Sequence, residues 1–293
     1  MRDGLRFDPA MVGPKGARVG PGLHFPILAE GLDLALHYGW FAEPVLVGDS
    51  LDELRDGQAA FTQQVLRLVP ADAQRVLDVG TGRGETARAL AARGAAVVTL
   101  SPDLNQGRWL GRAPHPGIRF QASRFEDFRA HGDERFDAVV FSESSNYVAL
   151  DNLLAHSAAL TQPGGSLVIA APFLRGARSA VYRDMHRLSD FRARVERSMW
   201  RVHEEHDFTA NVAPTLRIGR RLLERRVLPS VRAIDAYIAE LGPQPVRLLS
   251  FLLRRYRRRG LALLERELPA LLDERALSRD VAFLFLKLAK GAP

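Results

Sequence analysis

The sequence predicts an α/β fold, a doubly wound and mostly parallel sheet covered by helices on both faces. Strand-like and helix-like patterns alternate between residues 75 and 175 at the spacing of strand–helix–strand units. The strand-like runs are short and almost wholly apolar, as in strands buried on both faces. A glycine-rich turn, RVLDVGTGRG at 75–84, joins the first strand to the first helix.

Each element rests on hydrophobic periodicity or on a turn signal. Glycines and prolines fill residues 1–25 and predict a mobile arm, and apolar residues at helical spacing predict an N-terminal helical cap over 26–70. The predicted strands are 75–80, 95–101, 117–124, 136–144, 166–173, 199–208 and 281–290. The predicted helices are 85–94, 103–113, 148–162 and 189–198. The predicted division is the arm, the cap, a core over 71–213, a helical insertion or lid over 214–277 before the last strand, and that strand within 278–293.

Composition limits the class of protein. The 293 residues allow one large domain or a domain with a cap, and 46% hydrophobic residues allow a sizeable core. The absence of cysteine excludes disulfides, zinc–thiolate sites and thiol catalysis. No signal peptide is evident, and no apolar run approaches the roughly 20 residues of a membrane span. We therefore expect a cytoplasmic protein without a membrane partner.

The net charge of +7 is high enough to suggest a nucleic-acid partner. Arginine is spread among acids, however, except in RRYRRR at 254–259. On a helix, six consecutive residues point in all directions and form no single groove-facing stripe. A solvated helix is the favoured interpretation, with RNA or membrane contact as the alternative, so we expect no nucleic acid.

The loop sequence G-T-G-R-G is one residue tighter than the G-x-G-x-x-G turn of dinucleotide-binding proteins. Asp78 stands just before it, and an acid aimed into the loop repels phosphates but suits an ammonium group. S-adenosylmethionine has an amino-acid end and a sulfonium in place of phosphate. The alternative is a tight strand–helix turn that binds nothing.

RVLDVGTGRG, FDAVVFSES and LTQPGGSLVIAAPF resemble the first, fourth and fifth strand motifs of class I S-adenosylmethionine-dependent methyltransferases. The resemblance covers residues 26–175 well and the last two strands loosely. It implies a seven-stranded Rossmann-like sheet whose last strand, VAFLFLKLAK, runs antiparallel. It also implies S-adenosylmethionine as cofactor, with S-adenosylhomocysteine as product.

One departure concerns the ribose. Most of this family ends the second strand in an acid, where this chain has Thr99. TLSPDLNQ is similar instead to the cyclopropane fatty-acid synthase branch, whose T-[LI]-S turn and glutamine hold the ribose; Leu104 sits at the glutamine's place, with Gln106 just beyond. The cofactor-binding residues that the resemblance implies are Tyr38, Asp78, Gly80, Thr81, Gly82, Thr99, Leu100, Ser101, Gln106, Ser123, Arg124, Phe125, Ser142, Glu143 and Ser144.

Acceptor candidates lie in LHYGWF, SESSNYV and HEEHDFTANVAPT, since ligands of parallel sheets bind beyond the carboxyl ends of the strands. The candidate catalytic residues are His37, Glu143 and His206. The candidate substrate-binding residues are Trp40, Asn146, Tyr147, Asp207 and Asn211. Core packing is the alternative for Trp40 and Tyr147, and capping the next helix is the alternative for Asp207. His203 and His206 lack the i, i+4 spacing of a helical zinc pair, so we expect no metal.

The sequence thus predicts a methyltransferase acting on N, O, S or C of a small-molecule acceptor in bacterial specialised metabolism. An apolar helical insertion suits a roof over a closed pocket, and a homodimer interface would look the same. The alternatives are a lipid modifier like the cyclopropane synthases, an RNA methyltransferase or RNA-binding protein, and a methyltransferase fold that catalyses a cyclisation.

Overall fold

The computed structural model describes residues 31–291 except 49, 177–178, 180, 183, 241–264, 266 and 267. The predicted arm at 1–25, the start of the cap and the RRYRRR run lie outside the described residues. So does much of the predicted helical insertion.

Seven strands form one sheet in the order β3-β2-β1-β4-β5-β7-β6. The strands are β1 (Arg75–Val79), β2 (Ala96–Ser101), β3 (Ile118–Ala122), β4 (Phe136–Ser142), β5 (Thr161–Leu174), β6 (Trp200–Asp207) and β7 (Val281–Lys290). Strands β1 to β5 pair in parallel, and β7 runs antiparallel between β5 and β6. The predicted doubly wound sheet with an antiparallel last strand is confirmed.

Helices follow or precede the strands as the alternation predicts. They are α1 (Leu51–Leu68), α2 (Glu85–Ala92), α3 (Leu104–Gly111), α4 (Leu150–Leu160), α5 (Leu188–Glu196), α6 (Thr209–Val212), α7 (Pro214–Leu222), α8 (Leu228–Glu240), α9 (Leu268–Leu271) and α10 (Glu274–Asp280). A 3-10 turn covers Ser145–Tyr147, and a π-helical stretch, Leu223–Val227, joins α7 to α8. A capping box starts α1, because Ser50 and Glu53 each bind the other's backbone N–H through their side chains.

Both faces of the sheet are buried. Phe141 and Trp200 belong to a core cluster on one face with helices α4 and α5. Phe61, on α1, and Phe285, on β7, belong to a second cluster that includes α2. Burial on both faces explains why the parallel strands are apolar runs and do not alternate with polar residues.

The turn after β1 is shaped by backbone conformations that favour glycine. Gly80 and Gly84 both have φ near +92°, in the left-handed region that side chains rarely adopt. The N–H groups of Gly80 and Thr81 donate to the carbonyl of Leu100, at 2.9 and 3.1 Å. The glycine loop, residues 80–84, is therefore fixed against the end of β2.

Replacing Gly80 with alanine should destabilise the fold for two separable reasons. The left-handed backbone costs about 1–2 kcal/mol for a residue with a Cβ, and that Cβ would also lie 2.5 Å from the Cβ of Ser144. Gly94→Ala is the matched control, since Gly94 has φ +94° with open space around it. Denaturant unfolding should show a larger loss for Gly80→Ala than for Gly94→Ala. Equal losses would mean that the contact with Ser144 imposes no constraint.

Candidate active site

Asp78 lies on β1, just before the glycine loop, and is 1% exposed. Its Oδ2 accepts a hydrogen bond from Thr99 Oγ1 at 2.8 Å, and Thr99 Oγ1 lies 2.9 Å from Thr81 Oγ1. Its Oδ1 is buried and has no hydrogen-bond partner among the described residues. Burial raises the pKa of Asp78 to about 7; the Thr99 hydrogen bond opposes the shift and the charge of Glu85 adds to it. The loop therefore has a buried carboxyl with one oxygen unsatisfied.

Gln106, on α3, reaches the glycine loop. Its Oε1 accepts the N–H of Gly82 at 2.9 Å. Leu104, which sits at the place of the family's glutamine, is 46% exposed. Asp103 begins α3, with its Oδ1 accepting the N–H of Asn105 at 2.9 Å. Of these side chains, the structure brings Gln106 to the loop.

Glu143 follows β4 and has a left-handed backbone with φ 57°. Its N–H donates to the carbonyl of Ala170 at 2.8 Å, and its Oε1 accepts the N–H of Tyr38 at 2.7 Å. Burial raises the pKa of Glu143 to about 8, against the opposing effect of the Tyr38 hydrogen bond. A left-handed non-glycine residue at the carboxyl end of a strand is typical of functional sites.

The end of β4 touches the glycine loop directly. Ser144 Oγ donates to the carbonyl of Val79, and Gly80 leaves no room for a side chain beside Ser144. The hydroxyls of Ser142 and Ser145 are buried and lack hydrogen-bond partners within the described part of the chain. Polar groups able to bind a ligand thus flank Glu143 along the sequence.

The N-terminal segment, residues 31–48, is tied to α1 and α7. Gln58 on α1 accepts the N–H of Ala35 at 2.9 Å and donates to the carbonyl of His37 at 2.7 Å. The N–H of Gly39 donates to Thr215 Oγ1 at 2.9 Å. With the Tyr38–Glu143 bond, these ties hold the segment against the carboxyl end of β4.

His37 is held as a neutral imidazole. Its ring stacks on Phe61 with centroids 4.8 Å apart, and Nδ1 lies 2.8 Å from the carbonyl of Tyr38. Burial lowers the pKa of His37, while the charge of Glu85 and the Tyr38 carbonyl oppose that shift. Because a carbonyl only accepts, we assign the N–H to Nδ1, which leaves Nε2 facing Thr62 Oγ1 at 3.4 Å.

An aromatic wall adjoins this segment. The ring of Tyr38 packs edge-on against Phe283 at 5.3 Å, and that of Trp40 against Phe208 at 5.7 Å. Tyr182 lies in the same cluster and is 5% exposed. Trp40 Nε1 is buried without a hydrogen-bond partner among the described residues. The wall is apolar and carries one unused donor.

His206 and Tyr147 are not brought to the glycine loop by any recorded contact of the described residues. His206 lies on β6, at the edge of the sheet, where its ring stacks on Phe208 at 5.6 Å. Its Nε2 is 3.6 Å from a carboxylate oxygen of Glu204. Tyr147 is 70% exposed. The catalytic role predicted for His206 gains no support from this position.

Asp207 binds groups at the start of α6, although the N-cap residue of that helix is Phe208. Its Oδ1 accepts the N–H of Thr209 at 3.0 Å, and its Oδ2 pairs with Arg175 at 2.7 Å. The carboxylate therefore stabilises the turn that leads into α6. These contacts occupy oxygen lone pairs that a substrate would need.

The two predicted substrate-binding amides are also occupied by backbone groups. Asn146 donates to the carbonyl of Pro172 at 3.0 Å and accepts the N–H of His186 at 2.9 Å. The Asn211 side chain donates to the carbonyl of Phe41 at 2.8 Å, and the backbone carbonyl of Asn211 accepts the N–H of Phe41 at 3.0 Å. Both asparagines position loops around the site.

Of the residues predicted near the adenine, Ser123 is bonded to backbone groups and Phe125 is packed in the core. The N–H of Ser123 donates to the carbonyl of Ser101 at 3.2 Å, and Ser123 Oγ donates to the carbonyl of Arg124 at 2.8 Å. The ring of Phe125 is 3% exposed and packs on Phe141 at 5.0 Å. The Phe125 side chain belongs to the core, so only its backbone remains for a ligand.

Arg83 was missed by sequence reasoning. Its guanidinium donates to the carbonyl of Leu34 at 2.8 Å and to Asp33 Oδ1 at 2.9 Å, which joins the glycine loop to the N-terminal segment. Gln58 and Thr215, which hold the same segment, were missed as well. A basic residue between loop glycines was the available signal for Arg83; nothing in the local pattern marks the other two.

Comparison with known proteins identifies the family. A family model described as a methyltransferase domain matches residues 53–208. The chain is 30% identical over 158 residues to the ubiquinone biosynthesis O-methyltransferase of Xylella fastidiosa, covering 47% of this chain and 63% of that protein. It is 27% identical over 232 residues to the methyltransferase GfsG of Streptomyces halstedii, covering 72% and 78%. The solved structure of the (4+2)-cyclase SpnF matches 92% of each chain with a TM-score of 0.65 at 14% identity.

The fold and the glycine loop are those of a class I S-adenosylmethionine-dependent methyltransferase. The family match covers more than half of the chain, so the protein belongs to the methyltransferase domain family. The predicted family is confirmed. The aligned part spans less than two thirds of the Xylella relative, and the similarity to the cyclase shows the shared fold alone.

The described residues contain neither a metal-binding group nor a membrane-spanning helix. Within the part of the chain that the structure describes, no group of three or more His, Cys, Asp or Glu side chains is arranged to hold a metal ion. No helix among those residues is long and apolar enough to cross a membrane.

The free energy of unfolding should fall as pH rises from about 5 to 7, because Asp78 and Glu143 keep their protons in the folded state, with pKa values of about 7 and 8, and lose them in the unfolded chain. Buried His37, whose pKa is lowered, opposes this trend while the imidazole of the unfolded chain is still protonated, so the two carboxyls set the sign of the net slope. Each carboxyl contributes at most about 1.4 kcal/mol per pH unit in this window. The unfolding free energy from urea titrations in the absence of ligand should show this slope. Asp78→Asn and Glu143→Gln should each flatten it, and Asp72→Asn, at an exposed position, should not. A profile that rises through this window would contradict the assignment.

Proposed function

We propose that the protein transfers a methyl group from S-adenosylmethionine to a small, largely apolar acceptor whose reacting atom carries a proton. The observation that carries this proposal is Glu143, a buried carboxyl beside the glycine loop and under the N-terminal segment. The aromatic wall, with the unused N–H of Trp40, supports a small molecule as the partner in preference to nucleic acid. Bacterial specialised metabolism is our proposed setting, and the relative from Streptomyces halstedii is compatible with it.

The glycine loop fits the cofactor that the family uses. Asp78 Oδ1 is buried without a donor, which an ammonium group supplies. Gly80 and Gly82 present backbone without side chains in left-handed conformations. We infer that these three residues hold the methionine part. On the nucleoside side we infer Thr99, Ser101, Gln106, Ser123 and Arg124.

When bound, S-adenosylmethionine supplies an electrophilic methyl group and leaves as S-adenosylhomocysteine. Glu143 would take the proton of the acceptor atom that receives the methyl group. Its pKa of about 8 suits a general base near neutral pH, and a positive charge close by favours its ionised form. The proton then passes from Glu143 to solvent.

The rest of the catalytic effect comes from alignment. The Tyr38 N–H holds Glu143 Oε1 at 2.7 Å, and the left-handed backbone aims the carboxyl from the end of β4. Holding reacting groups in a near-attack arrangement is worth about 7–11 kcal/mol in favourable cases. His37 is neutral and its Nδ1 is engaged by the Tyr38 carbonyl, so we assign it a positioning role.

Glu143→Gln should abolish most turnover and keep cofactor binding, because glutamine retains the oxygen that Tyr38 binds and loses the base. The rate of methyl transfer should fall about 10²- to 10⁴-fold, measured with labelled S-adenosylmethionine on acceptors found by screening phenols, enols and amines. His206→Asn is the matched control and should keep the wild-type rate.

Cofactor affinity, measured by calorimetry on both variants, distinguishes the loss of a catalytic base from the loss of cofactor binding. Affinity for S-adenosylhomocysteine, which lacks the sulfonium, within about threefold of wild type together with lost transfer supports the role of Glu143. An unchanged rate in Glu143→Gln contradicts it. Cofactor binding with no transfer to any proton-bearing acceptor, but conversion of a polyene by cyclisation, would support the cyclase alternative.

A further inference from the structure

A groove of about 610 Å³ lies between α1, α2 and α3, beside the start of the N-terminal segment. We call it the helix groove. Its walls include Arg55, Thr62, Arg83, Glu85, Arg88 and Trp109. The volume lies within the range of small-molecule sites. None of the residues predicted to bind cofactor or acceptor lines it.

Two arginines of the helix groove are already paired with carboxylates. Arg83 Nη2 lies 2.9 Å from the carboxylate of Asp33. Arg55 Nη1 lies 2.5 Å from the carboxylate of Asp52. Within each pair the two charges neutralise one another, which leaves little net attraction for a ligand.

Arg88, in contrast, is held by carbonyls alone among the residues that the structure describes. Its Nη1 donates to the carbonyl of Arg83 at 2.7 Å, and its Nη2 lies 3.4 and 3.5 Å from the carbonyls of Trp109 and Leu110. Its Nε is buried with no hydrogen-bond partner among the described residues. Carbonyl dipoles orient a guanidinium without cancelling its charge, so this cation can still attract an anion.

Glu85 stands three residues before Arg88 on α2 and on the same side of the helix. A Glu and an Arg at this spacing commonly form an ion pair, yet none is recorded between them. Glu85 makes no recorded hydrogen bond or ion pair to a described residue, and its charge is felt by His37 and Asp78. The carbonyls hold the Arg88 head group away from Glu85. One acid and one base therefore line the same groove unpaired with each other.

We propose that the helix groove binds a small zwitterion of the α-amino-acid type. Its ammonium group pairs with Glu85, its carboxylate pairs with Arg88, and an apolar or aromatic side chain lies on the indole of Trp109. A simple anion would meet the charge of Glu85 and a simple cation that of Arg88, whereas a zwitterion satisfies both. Arg83 belongs to both the groove wall and the glycine loop, so the site adjoins the cofactor loop without sharing its predicted ligands.

L-phenylalanine is the probe, titrated calorimetrically into the full chain with saturating S-adenosylhomocysteine to block the cofactor site. One saturable site is expected. 3-Phenylpropanoate, which lacks the ammonium, and phenethylamine, which lacks the carboxylate, should each bind at least about tenfold more weakly. If S-adenosylhomocysteine does not bind, the proposed cofactor fails, and the same titration without it still tests the groove.

Arg88→Gln and Glu85→Gln should each weaken L-phenylalanine binding about tenfold or more. Arg129→Gln is the matched control, because Arg129 also donates only to backbone carbonyls, those of Glu126 and Phe128, and lies outside the groove. Circular dichroism confirms that the variants fold. No saturable binding up to about 10 mM, equal affinity for 3-phenylpropanoate, or full affinity in Arg88→Gln would each overturn the proposal.

Discussion

The contact between Gly80 and Ser144 is the constraint on which the candidate site depends. A Cβ at position 80 would lie 2.5 Å from the Cβ of Ser144, so the ends of β1 and β4 approach this closely only because glycine stands there. Ser144 in turn donates to the carbonyl of Val79. This contact places Asp78, on β1, and Glu143, which follows β4, at the carboxyl ends of two neighbouring strands.

Two buried carboxyls at one edge are costly unless they are neutral or meet a cation. The described residues supply partial compensation, one hydroxyl to Asp78 and one backbone N–H to Glu143. Burial therefore raises the pKa values of both groups, and one hydrogen bond to each carboxyl offsets part of that rise. A ligand that carries positive charge would remove it, and the family's cofactor carries both an ammonium and a sulfonium. The electrostatics of the two carboxyls and the chemistry of the family therefore point to the same ligand.

The sequence was sufficient for the fold, and it singled out Asp78 and Glu143, which the structure buries at the carboxyl ends of neighbouring strands. Alternating apolar strands and the glycine turn predict local structure, and Asp78 and Glu143 lie next to those signals in the chain. The long-range contacts of the site are a different matter. Asn146 and Asn211 look like substrate ligands in the sequence, yet their amides are used by backbone groups 26 and 170 residues away. Contacts at such separations, like those of Arg83 and Gln58, depend on packing that no local pattern encodes.

The most direct test of this account is the number of protons released when S-adenosylmethionine binds at pH 7. Calorimetry in buffers of different ionisation enthalpy measures it. If Asp78 and Glu143 are largely protonated in the free protein, binding of a cation should release protons, more for S-adenosylmethionine than for S-adenosylhomocysteine, which lacks the sulfonium. Glu143→Gln should remove that difference. Binding without proton release would show that the two carboxyls are already ionised, and the account of the site as a pair of buried acids awaiting a cation would be wrong.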